Sequence, residues 1–163
     1  MKRLTISADA CTETLALLII MAWADGKLED NEKEGVRAAA SVLNLTKELR
    51  DRLEQLMQKP IAVGELLFDT LAARDKAFAF VAAAWMSGLD NEVHEKEEAL
   101  LSQVSDMFGY SVDRKAELVR IARDLEPLRK GKDSWASEIL ALFKAIPSRL
   151  EGDGKEDIEV AFE

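Results

Sequence analysis

The stretch Ala24-Asp25-Gly26-Lys27-Leu28-Glu29-Asp30-Asn31-Glu32 joins an apolar, alanine-rich run to a charged amphipathic one, and the arrangement returns as Leu89-Asp90-Asn91-Glu92-Val93-His94-Glu95-Lys96-Glu97. In each copy an Asp precedes a Glu by seven residues, and the second copy lies 65 residues after the first (25 to 90, 32 to 97). The flanking runs carry helical spacing, so each acidic segment marks the junction of two helices. Two such junctions imply an internal duplication.

Helical signals extend outward from both copies. Ala, Leu, Glu, Lys and Arg are abundant, β-branched alternation is almost absent, and three prolines interrupt. The fold class expected is all-α: a single helical domain of seven to eight helices, two pseudo-symmetric halves and a C-terminal helix. A first helix is predicted over Ala8 to Ala24, capped by Ser7 or Asp9 and ended by Gly26, and a second over Asp30 to Leu43. Thr46 caps a third, with Leu49, Leu53, Leu56 and Met57 on one face, which runs until Pro60. After the short apolar segment 61–71, Asp75 is expected to cap a helix to Leu89, followed by helices over Glu95 to Phe108, from the Ser111 cap toward Pro127, and over Ser134 to Ile146.

The offset reaches beyond the carboxylates. It aligns Leu43 with Phe108, Asn44 with Gly109, Thr46 with Ser111, Leu53 with Leu118 and Leu56 with Ile121, so helix stops, caps and core positions coincide. The pseudo-repeats span about 8–57 and 73–122 within a domain over 1–150, and 151–163 reads as an acidic, solvated tail.

The chain has 163 residues, suited to one core-forming domain. Its 31 acidic and 22 basic residues give a net charge of −9, which argues against a nucleic-acid surface and favours cations or basic partners. Cys11 is the sole cysteine, so no intramolecular disulfide forms and a cytoplasmic setting is expected. The apolar run from Leu15 to Ala24 is shorter than the roughly 20 residues that span a bilayer, and Asp9 and Glu13 precede it. No transmembrane segment or signal peptide is expected.

Two readings of the acidic junctions stand side by side. In the first, Glu32 and Glu97 sit three residues after potential N-caps Glu29 and His94 and simply complement the positive helix start. The aspartates fit this less well, because Asp25 and Asp90 fall at helix C-termini, where the dipole disfavours a carboxylate. In the second reading a divalent cation offsets them: paired Asp and Glu supply the oxygens that Ca²⁺ or Mg²⁺ prefers, and Gly26 and Asn91 tolerate a left-handed turn. The spacing is not that of an EF-hand, since Gly26 is second and Lys27 third in the loop. One Cys and one His disfavour zinc.

The segment Trp23-Ala24-Asp25-Gly26-Lys27-Leu28-Glu29-x-x-Glu32 resembles the Ala-Asp-Gly-x-hydrophobic-x-x-x-Glu signature of the TerB tellurite-resistance family, whose relatives include a TerB-like domain at the start of some membrane-anchored co-chaperones. The resemblance covers about Ala8 to Gly131. The second copy departs from it, with Asn91 where Gly is usual and His94 at the cap. The resemblance implies a helical, pseudo-two-fold domain that binds a divalent metal through Asp25, Glu32, Asp90 and Glu97. It further implies a role in resistance to tellurite and chemical stress, through protein partners that include membrane-associated ones, with a cytoplasmic or peripheral inner-membrane location.

Other residues carry less. His94 is expected at an exposed helix start, Cys11 as a small buried hydrophobe, and Trp23, Trp85 and Trp135 as core packing. The basic residues Arg114, Lys115, Arg120, Arg123 and 129–132 are interleaved with acids and read as a solvated face. No nucleophile-and-base set, phosphate loop or cofactor motif is visible, so a non-enzymatic protein is expected, the alternative being a metal-independent helical interaction module, an adaptor or regulatory subunit.

Overall fold

The computed structural model describes residues 2–23, 30–59, 62–66, 68, 71–87, 95–125, 135–151 and 158–162. Seven α-helices are present among them: α1 (Ala8–Trp23), α2 (Asp30–Val42), α3 (Lys47–Gln58), α4 (Ala73–Ser87), α5 (Glu95–Phe108), α6 (Val112–Asp124) and α7 (Trp135–Glu151). The fold is all-α, with one short ribbon of two parallel strands, β1 (Lys2–Ile6) and β2 (Ile158–Phe162).

The 65-residue shift carries α1 onto α4, α2 onto α5 and α3 onto α6, with ends agreeing to within a residue. The chemistry of the ends repeats too. Asn44 (φ 56°) and Gly109 (φ 72°) take the left-handed conformation that ends α2 and α5. In both, the next residue's N–H reaches back five residues, Leu45 to the Ala40 carbonyl and Tyr110 to that of Ser105. The paired bonds from Asn44 to Ser41 and from Gly109 to Asp106 complete a Schellman motif in each half. Thr46 and Ser111 then cap α3 and α6 by accepting from the amides of Leu49 and Arg114.

Helices α1 and α4 form the centre and pack against each other more extensively than any other helix pair. Every α1 side chain described from Ala10 to Met21 is buried, as are Ala77 to Ala83 and Trp85 of α4. A helix apolar on all sides belongs in a core, as the runs Leu15 to Met21 and Ala77 to Ala83 show. α3 flanks α1, α6 flanks α4, α5 packs on α4, and α7 lies across α2 and α4. The α7 contact brings Phe143 edge-on to Phe78, with centroids 4.9 Å apart. Each central helix is also pinned by an indole: Trp23 Nε1 donates to the Leu56 carbonyl and Trp85 Nε1 to that of Leu125.

Of the two caps offered for α1, Ser7 serves, its Oγ accepting from the Ala10 amide. Three sequence expectations are corrected. α4 starts at Ala73, with the Ala72 carbonyl accepting from the Lys76 amide, so Asp75 is the third helical residue rather than the cap. α7 continues through Pro147 to Glu151, past the expected stop at Ile146. Complete burial of Ile146 and the ion pair from Arg149 to Asp124 of α6 hold the last turn and offset the hydrogen bond that proline removes. Finally, part of the stretch read as a solvated tail is a strand: residues 158–162 pair in parallel with 2–6, Lys2 opposite Ile158 and Ile6 opposite Phe162. Ile158, Val160 and Phe162 alternate with Glu159 and Ala161, the period-two pattern of a strand with one apolar face. Residues 152–157, like the Pro127 and 129–132 segment, lie outside the described residues.

Candidate functional site

The duplicated helix ends set where the acidic junctions attach. α1 ends at Trp23 and α2 begins at Asp30; α4 ends at Ser87 and α5 begins at Glu95. Glu32 and Glu97 are therefore each the third residue of their helix, where a carboxylate complements the partial positive charge of the free amides. Asp25 and Asp90, with Gly26, Glu29, Asn91, Glu92 and His94, lie outside the described residues, as do the side chains of Glu32, Glu95 and Glu97. Asp30 is exposed at the start of α2. Trp23 closes α1 beside the first junction, half-buried and held by its indole bond to Leu56 of α3.

Burial governs the remaining titratable groups. The Cys11 thiol is fully enclosed, and burial, assisted by the negative charge of Asp75, pushes it up to about 12. It is thus a neutral core side chain at physiological pH, with no thiolate for nucleophilic chemistry. Burial likewise raises the Asp75 carboxyl against the opposing pull of Arg74. The Tyr110 hydroxyl is pushed up to about 12 by burial, with Arg114 pulling the other way. Tyr110 belongs to an edge-to-face aromatic chain in which Phe80 and Phe108 both contact it and Phe68 contacts Phe108.

Ion pairs absent from the sequence expectations join helices of the first half. Glu13 of α1 is 4 % exposed and accepts from Arg52 Nε and Nη2 of α3 at 3.1 and 3.2 Å. Arg37 of α2 donates from Nε and Nη2 to the Glu54 carboxylate of α3 at 2.7 and 3.1 Å, and from Nη1 to Glu34 at 2.7 Å. These bonds, that from Glu54 foremost, hold the Arg37 guanidinium firmly charged, and the bond from Arg37 holds Glu54 below the usual carboxylate range. The i,i+3 spacing of Glu34 and Arg37 was a readable signal; pairs 17 and 39 residues apart had none. Of the basic cluster, Arg114 pairs with Glu117 and Lys115 with Ser102, while Arg120 and Arg123 are exposed. Trp85 is core as expected; the side chain of Trp135 lies outside the described residues.

Between α2 and α3 lies an open groove of about 220 Å³. Buried Val36, Ala40, Leu53 and Met57 form its floor, and Arg37, Arg50 and Glu54 its rim. Among the described residues no helix is long and apolar enough to cross a membrane. Comparison with family models, curated proteins and solved structures returned no match.

Proposed function

We propose that this chain is a TerB-like, non-enzymatic helical protein that takes a divalent cation at its duplicated acidic junctions and acts through protein partners in resistance to tellurite and other chemical stress. The observation that supports this is the repetition of helix ends under one offset: Glu32 and Glu97 are each the third residue of equivalent helices, and in the sequence Asp25 and Asp90 stand seven residues before them. A cation shared by Asp25 and Glu32 would offset the Asp25 carboxylate and fasten α1 to α2. Asp90 and Glu97 would form the weaker counterpart, since Asn91 and His94 depart from the family pattern.

Two carboxylates with backbone oxygens and water make a partly hydrated site, with affinity on the order of 10⁻⁴ to 10⁻³ M for Ca²⁺. The test is thermal unfolding with and without millimolar Ca²⁺ or Mg²⁺ at constant ionic strength, alongside Trp23 fluorescence. The wild type should gain stability by mass action, and Asp25→Asn should lose that gain without weakening the cation-free protein. No gain in the wild type would discard the cation and leave a metal-independent interaction module, to be pursued by pull-down.

A further inference from the structure

The duplicated halves diverge at the groove between α2 and α3. Under the 65-residue shift, Arg37, Arg50 and Glu54 correspond to Ser102, Lys115 and Val119. In the second half Lys115 Nζ donates to Ser102 Oγ at 3.1 Å and bridges α5 to α6. In the first half both positions are arginines, and two cations cannot make that bridge. Arg37 turns instead to Glu54 and Glu34, which balance its charge. Arg50 donates Nε to the Leu45 carbonyl at 2.9 Å, and among the described residues its terminal nitrogens have no acceptor. The result is an exposed guanidinium, oriented by a backbone carbonyl above a buried apolar floor, in the first turn of α3, where the helix end adds partial positive charge.

We propose that this groove seats an apolar side chain flanked by a carboxylate, presented by an acidic segment of a partner protein. The floor of Val36, Ala40, Leu53 and Met57 takes the apolar group, and Arg50 takes the carboxylate through its two terminal nitrogens. A volume of about 220 Å³ is below the roughly 300–1,000 Å³ of small-molecule pockets, so it suits one leucine-sized anchor of a longer segment rather than a whole metabolite. The charge match selects an acidic segment over a basic one. The site depends on neither the acidic junctions nor a cation.

The test uses the ¹⁵N-labelled full chain titrated with N-acetyl-leucine, N-acetyl-leucinamide and inorganic phosphate, read by amide chemical shifts. N-acetyl-leucine should shift amides across 36–57 at millimolar concentration, with the leucinamide about tenfold weaker, the loss expected for one charge-assisted contact. Arg50→Gln should reduce N-acetyl-leucine binding to the leucinamide level. The triple variant Arg37→Ser, Arg50→Lys, Glu54→Val grafts the second half's bridge onto the first and should abolish the shifts. Because the acid-against-amide comparison uses wild-type protein, it stands even if a variant folds poorly. Equal binding of acid and amide, or shifts confined to other helices, would overturn the proposal. The same shifts from phosphate alone would reduce the site to a simple anion contact, and shifts that appear with protein concentration alone would make the occupant a second copy; either result overturns it as well.

Discussion

Arg52 and Arg37 make similar bidentate contacts in different surroundings, and the surroundings set their worth. Arg52→Ala leaves the buried Glu13 carboxylate without its guanidinium and should cost on the order of 3 kcal/mol in urea unfolding. Arg37→Ala removes a pair whose partners are both well exposed, and should cost no more than about 1 kcal/mol. Cys11 yields a pH prediction. Its thiol ionises near 9.0 when unfolded and about 12 when folded, so between those values the unfolded chain binds fewer protons than the native one. Stability from this group is therefore intact below pH 9 and declines as pH rises toward 12. Cys11→Ala should flatten the stability profile from pH 9 upward, whereas the contribution of Tyr110 starts only near its ordinary 10.0. Thiol labelling at pH 8 should proceed only at the rate of global or local opening.

At the scale of elements, the two left-handed helix ends offer a matched comparison. Gly109 has no atom within contact range of an added Cβ, so Gly109→Ala pays the backbone cost alone, about 1 kcal/mol in chemical denaturation. Gly109→Asn should cost less, since Asn44 holds the equivalent position in the first half. These ends were legible because their signals are local: Asn44 before Thr46, Gly109 before Ser111, and apolar spacing between. The third-residue positions of Glu32 and Glu97 were legible for the same reason. Asp75 misled because a carboxylate suits the third helical position as well as the cap, and Pro147 misled because the burial of Ile146 outweighs a local rule. The groove could not be read at all. Arg37 and Arg50 gain meaning only when α2 and α3 pack together, and Arg50 is oriented by a backbone carbonyl.

Across the whole molecule, duplication and the β1–β2 ribbon contrast in how visible they were. A repeat of three helices leaves many coincident marks in one sequence, while strands of five residues at 2–6 and 158–162 carry too few alternations to be told from noise, and their pairing joins distant segments. Removing residues 152–163 should expose the inner side of β1, beginning with the fully buried Ile6, and lower the melting temperature by at least about 2–4 °C, the shift that accompanies each kcal/mol at this chain length. The ribbon also has a mechanical consequence. Because its strands run parallel, a pulling force applied through the flanking chain enters at Lys2 and leaves at Phe162, at opposite ends of the ladder. Such a load shears all the interstrand hydrogen bonds together rather than peeling them one after another. Stretched between its ends in an optical trap, the molecule should give way at a higher force than when pulled through handles at Lys2 and Ile158, which open the same strands like a zip.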